Sequence, residues 1–138
     1  MPTSSRFATA VHILTLLGHQ PDEALTSDYI AGSVNTNPVV IRRLLRLLAQ
    51  AGLVTSIPGS AGGSRLARDA RKITLLDVFA AVEKEALVGG HAQQPNPHCP
   101  VGRQISDLLA PRFDDAAAAF TQSLKKTTVA DLLKEVKG

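Results

Sequence analysis

Arg42, Arg43 and Arg46 stand close together in the run NPVVIRRLLRLLAQAG. If that run is helical, 42/46 and 43/46 are neighbours one turn apart. Three guanidinium groups then share one face, while Ile41, Leu44, Leu45 and Leu48 occupy the other. Like charges this close repel, and a structural purpose for them is hard to find. A guanidinium fork matches the O6 and N7 acceptors of guanine in the major groove, and it pairs equally well with phosphate oxygens. Residues near the start of such a helix reach base edges. Arg42 and Arg43 are therefore expected to read bases and Arg46 to meet a phosphate. A merely solubilising arginine face is the plainer alternative.

The charge around these residues is concentrated. From Arg42 to Lys72 there are seven basic residues against one acid, Asp69, a local +6; with +3 overall, the remaining positions sum to −3. A positive field on one segment suits a polyanion partner. A length of 138 residues and a hydrophobic share of 44% allow one compact chain with a real core. Aromatics are only 4%, so aliphatic residues must fill that core. No apolar run approaches the ~20 residues of a membrane span, and the N-terminus lacks a signal-peptide cleavage site. A cytoplasmic location without membrane contact is expected, and a single cysteine fits a reducing compartment.

The elements that would position the arginines follow from spacing and punctuation. A helix from about Ser5 to Gly18 carries Phe7, Val11, Leu14 and Leu17 as a buried stripe, with Gly18 as its stop. His12 and His19 are read as ordinary surface or partly packed histidines. Thr26 caps a second helix, stapled by Leu25 and Ile30. Asn35-Thr36-Asn37 makes the turn; Asn37 caps the arginine helix and is also a candidate phosphate contact, Pro38 and Val39 open the first turn, and Thr26 and Val39 join the candidate DNA-contacting residues. Gly52 is the left-handed stop. Leu53–Ile57 and Arg65–Ala67 are short β-prone runs around the tip PGSAGGS, so a hairpin is expected. Ser60, Gly62, Gly63, Arg65 and Arg68 then become candidates for touching a nucleic-acid backbone. The glycines match neither a dinucleotide fingerprint nor a P-loop.

The stretch IAGSVNTNPVVIRRLLRLLAQAGLV, the run GSAGGSRLARDARKITLLDVFAAVE and the later NPHCPVGRQI together resemble the Rrf2-type bacterial regulators, over nearly the whole chain. The resemblance implies a mainly α fold: a winged helix-turn-helix with a small β-hairpin wing and a long C-terminal dimerisation helix. It also implies a homodimer on double-stranded DNA with a pseudo-palindromic operator, acting as a repressor. Two departures stand out. Pro58 occupies the place before the first wing glycine where many members carry arginine. The cluster-binding members have three cysteines ahead of the long helix, where this chain has Cys99 alone, so no iron–sulfur site and no other cofactor or metal is expected.

Beyond the hairpin, Thr74 and Asp77 suit a capping box for a helix with Leu75, Phe79 and Val82 on its packing stripe. Residues 1–85 are thus assigned to the DNA-binding region and 86–99 to a flexible loop. Residues 100–138 hold a long helix and a final one, in one compact chain. In the long helix Leu109, Phe113, Ala117, Phe120 and Leu124 recur at three- and four-residue steps, a stripe suited to pairing with a second subunit, and Pro111 should kink or interrupt it. Thr128 and Asp131 cap the final helix, whose Val129, Leu132, Leu133 and Val136 should lock onto the body.

Cys99 invites two readings. At a helix start, with Arg103 one turn on, its thiolate would be favoured and open to oxidation, making it a sensor. Equally, free cysteine is commonly a small packed residue. His91, His98 and Cys99 do not have trustworthy metal-ligand spacing. No nucleophile with a matched base appears, so an enzyme is not expected. A protein that docks an acidic partner on the basic face is the remaining alternative to DNA binding.

Overall fold

The computed structural model describes residues 4–138. Its elements are α1 (Arg6–His19), α2 (Ser27–Val34), α3 (Pro38–Gln50), β1 (Val54–Ile57), β2 (Gly63–Leu66), a 3-10 turn at Ala70–Lys72, α4 (Leu75–Val82), α5 (Pro100–Lys125) and α6 (Val129–Glu135). Contacts divide the chain into two units. The residues up to Lys84 join Leu124–Gly138 in one, and Glu85–Ser123 form the other.

The first unit is organised around α1, which packs against α2, α3, α4, β2 and α6. Ile13, Leu14 and Leu17 meet Ile30, Ile41, Leu48, Leu53, Ile73, Val78, Val82 and Val129 in one aliphatic cluster from which water is excluded. Phe7 and Phe79 close one side of it edge to face, with centroids 5.3 Å apart. The stripe of α1 is shifted from the expected one: Ala10 and Ile13 are buried, whereas Phe7 and Val11 are half-buried. Gly18 does not end the helix, which continues to His19. A Cβ at Gly18 would lie 2.8 Å from Leu133 Cδ1, so the glycine admits α6 rather than stopping α1.

The helix-turn-helix follows the expected punctuation. Thr26 Oγ1 accepts from the Tyr29 amide (3.1 Å), Asn35 turns the chain at φ 65°, and Asn37 Oδ1 accepts from the Val39 amide (2.8 Å). Gly52, at φ 75°, provides the left-handed turn after α3. The hairpin is shorter on its first strand and begins earlier on its second than the β-prone runs suggested. It pairs Val54 with Leu66 and Ile57 with Gly63, and Leu25 adds a further rung by exchanging backbone hydrogen bonds with Ser64.

Three other expectations are corrected. The buried residues of α4 are Val78, Ala81 and Val82, with Leu75 and Phe79 only partly covered. The long helix α5 runs through Pro111 without interruption; the Arg112 guanidinium donates to the Leu108 carbonyl (2.9 Å) in the adjoining turn. Lastly, α6 packs on α1 and on the 3-10 turn, but its apolar stripe stops short of Val136. Val136 falls just past its end and is largely exposed.

Candidate nucleic-acid interface

The face of α3 turned away from the core carries Arg42, Arg43 and Arg46, all exposed, and none has a hydrogen-bond or ion-pair partner among the described residues. A surface groove of about 540 Å³ runs between α3 and the hairpin. Arg42 and Arg46 line its helix side and Ser56, Ile57, Gly63 and Ser64 its hairpin side, with Ser27 at the start of α2. Arg43 stands on the same exposed face but outside that groove. The structure therefore gathers the three arginines on one face but divides their surroundings.

Three of the other basic residues of the segment, Arg65, Arg68 and Arg71, have partners within the chain. Arg65 Nη2 donates to the Asp22 carbonyl (2.8 Å), which draws it towards the loop after α1. Arg68 is turned into the body: its guanidinium donates to the Lys72 carbonyl (3.4 Å) and the Ala51 carbonyl (3.5 Å) and lies 3.8 Å from the Asp77 carboxylate. Arg71 forms a two-pronged pair with Asp69 (2.8 and 3.1 Å). Those donors hold the Asp69 carboxyl well below the usual carboxylate range, and the carboxylate in turn raises the Arg71 guanidinium. Among the described residues, only Arg68 and Arg71 of the segment stand against a carboxylate; Arg42, Arg43 and Arg46 add three uncompensated charges on one face of α3.

The hydroxyl of Thr26 and the amide oxygen of Asn37 act as helix caps, which leaves their remaining lone pairs and the Asn37 amide group for any ligand. Ser60 is exposed at the hairpin tip. Gly62 and Gly63 answer a backbone need. A Cβ at Gly62 would run into the Ile57 carbonyl oxygen, and one at Gly63 would lie 2.5 Å from the Leu25 backbone. Tyr29 and Ser27 had not been singled out from the sequence. The single tyrosine of the chain is 51% exposed on α2, with its hydroxyl accepting from Gln20 Nε2 (2.8 Å). An aromatic residue in the polar first turn of a helix was the available signal. Cys99 is half-buried; its amide donates to the Asn96 carbonyl and its own carbonyl accepts from the Arg103 amide.

Comparison with known proteins decides the family. The model of the Rrf2 family, described as an iron-dependent transcriptional regulator, matches residues 3–135. The chain belongs to the Rrf2 family. It is 40% identical over 133 residues to YwnA of Bacillus subtilis, which carries the name of an HTH-type transcriptional regulator, covering 96% of this chain and 98% of that one. The protein rrf2 of Nitratidesulfovibrio vulgaris is 32% identical, with 98% and 87% covered. Among solved structures, one described as a DNA-binding protein is 39% identical with a TM-score of 0.77, covering 94% of this chain and 99% of that one. CymR of B. subtilis, 21% identical with a TM-score of 0.75 and 99% of each chain covered, shares the fold. The chain is thus a helix-turn-helix transcriptional regulator by family, with α2 and α3 as the helix pair and β1–β2 as the wing. The iron of the family description finds no donor set here. With one cysteine in the chain, and no group of three His, Cys, Asp or Glu among the described residues that could hold a metal, the residues present do not fit an iron centre.

Proposed function

We propose that this Rrf2-family chain binds double-stranded DNA sequence-specifically as a homodimer and represses transcription from a pseudo-palindromic operator. The observation that carries the reading is the unpartnered arginine face of α3 beside the groove and the hairpin. Arg42 and Arg43 read base edges and Arg46 meets a phosphate; Ser60 and the hairpin tip follow the backbone. The name of YwnA and the description of the 39%-identical structure support the DNA partner. No helix among the described residues is long and apolar enough to cross a membrane, and a regulator of bacterial type would act in the cytoplasm.

The experiment is in-vitro selection from random duplexes, with reduced and with peroxide-treated protein. A pseudo-palindromic consensus is the expected result. No consensus overturns the reading in favour of a protein partner on the basic face. The oxidised arm addresses Cys99: a consensus lost on oxidation by the native protein, but kept by Cys99→Ser, makes that thiol the switch. A consensus unchanged by oxidation makes it a packing residue.

A further inference from the structure

Beyond its start the outward face of α3 exposes only arginines, Gln50 and the small Ala49. At that start Val39 is 49% exposed and Val40 36% exposed, although valine is neither a strong helix former nor well placed in water. Val39, Arg42, Arg43 and Arg46 fall at i, i+3, i+4 and i+7, so the valine extends the arginine stripe to the N-terminus of the helix. That first turn is held from two sides. Pro38 fixes its backbone at the first helical position, and the Asn37 side chain accepts from the Val39 amide at 2.8 Å. A β-branched residue in a helix keeps essentially one χ1 rotamer. The two methyls of Val39 are therefore presented in a fixed place and lose little entropy on contact.

The major groove offers one apolar group on a base edge, the C5-methyl of thymine. We propose that Val39, flanked by Val40, reads the methyl group of a thymine next to the base pair met by Arg42 or Arg43. The proposal rests on the DNA-binding reading above and adds to it a T·A position in each half-site. Cytosine there would lack the methyl and present an amino donor that valine cannot accept from. A purine would present a polar N7 to the same methyls.

The test uses the selected duplex and the full-length protein. Each thymine is replaced singly by deoxyuridine, which keeps every hydrogen-bonding group and removes only the methyl, and Kd is read by fluorescence anisotropy. At one thymine of each half-site the native protein should bind the uracil duplex about four-fold more weakly, the worth of one buried methyl. Val39→Ala should bind the thymine duplex more weakly than the native protein and be indifferent to the exchange. Alanine favours the helix, and far-UV circular dichroism confirms that the variant is folded. Uracil tolerated at every position, or an equal loss by Val39→Ala on both duplexes, overturns the methyl contact while leaving DNA binding intact. The absence of any sequence preference overturns both.

Discussion

Arg46 and Arg68 carry the same guanidinium into opposite settings. Arg46 lines the groove beside the hairpin with no partner among the described residues, whereas Arg68 reaches the carbonyls of Ala51 and Lys72 and faces Asp77. Arg68 thereby ties the end of α3 to the start of α4, and charge counting along the sequence cannot tell such a tie from a phosphate contact. Salt separates the two. Each neutralised phosphate contributes about −0.9 to the slope of log K against log salt. Arg46→Ala should make that slope shallower by about 0.9 per half-site. Arg68→Ala should leave it unchanged while lowering thermal stability by about 0.5–1 kcal/mol. A shallower slope for Arg68→Ala would make that residue a phosphate contact as well. Base reading has its own signature: Arg42→Ala or Arg43→Ala should cost roughly 1–3 kcal/mol on the selected duplex and far less on a random one, relaxing one operator position. Equal losses on both duplexes would assign that arginine to the backbone instead.

At the scale of elements, two short sequences repeat one device. Thr74-Leu75-Leu76-Asp77 and Thr128-Val129-Ala130-Asp131 each close a capping box, and the two helix starts are joined by a backbone bridge: the Leu75 amide donates to the Thr127 carbonyl and the Val129 amide to the Ile73 carbonyl (both 2.9 Å). Both caps were legible from the T-x-x-D spacing; their pairing was not, because fifty-odd residues separate them. Thr128→Ala should destabilise the protein by about 1 kcal/mol in chemical denaturation. The double variant with Thr74→Ala should depart from additivity, since the two starts share a bridge. The Thr128 backbone amide, and then its hydroxyl, hold the Asp131 carboxyl below its ordinary value of 3.8. A depressed carboxyl stabilises the fold above the unfolded-chain value, and that contribution is lost as the pH falls from about 3.8 through the lower folded value. Asp131→Asn should flatten this acid limb of the stability profile; an unchanged limb would mean that other carboxylates carry it.

The same local logic explains what else could be read in advance. Caps and stops at Thr26, Asn37 and Gly52 are local chemistry, and they placed α2, α3 and the arginine face. Gly18 was misread because its purpose lies in Leu133, far along the chain, and only packing reveals it. The Asp22 and Ala51 carbonyls that Arg65 and Arg68 reach, unlike the open setting of the α3 arginines, are distant in sequence and only the fold brings them near.

At the scale of the whole molecule, α5 presents a packing problem that a single chain leaves open. Its 26 residues make a helix about 39 Å long, yet none of its residues is buried, and Val101 and Leu108 are 65% and 52% exposed. Leu109, Phe113 and Ala117 continue its apolar stripe in half-covered positions. A second copy of the same helix, related by a two-fold axis, would cover such a stripe with an identical one and match the symmetry of a pseudo-palindrome. Phe113→Asp isolates the question. Phe113 is not in the buried core of one chain, so the fold tolerates the change, but a carboxylate facing its own copy across an apolar seam is desolvated and repelled. The native protein should sediment at twice the chain mass and Phe113→Asp at the mass of one chain, with unchanged circular dichroism. Affinity for a full operator should then fall to that for an isolated half-site, while half-site affinity itself is preserved. If Phe113→Asp still sediments as a dimer, the pairing surface lies elsewhere and the exposed stripe of α5 needs another occupant.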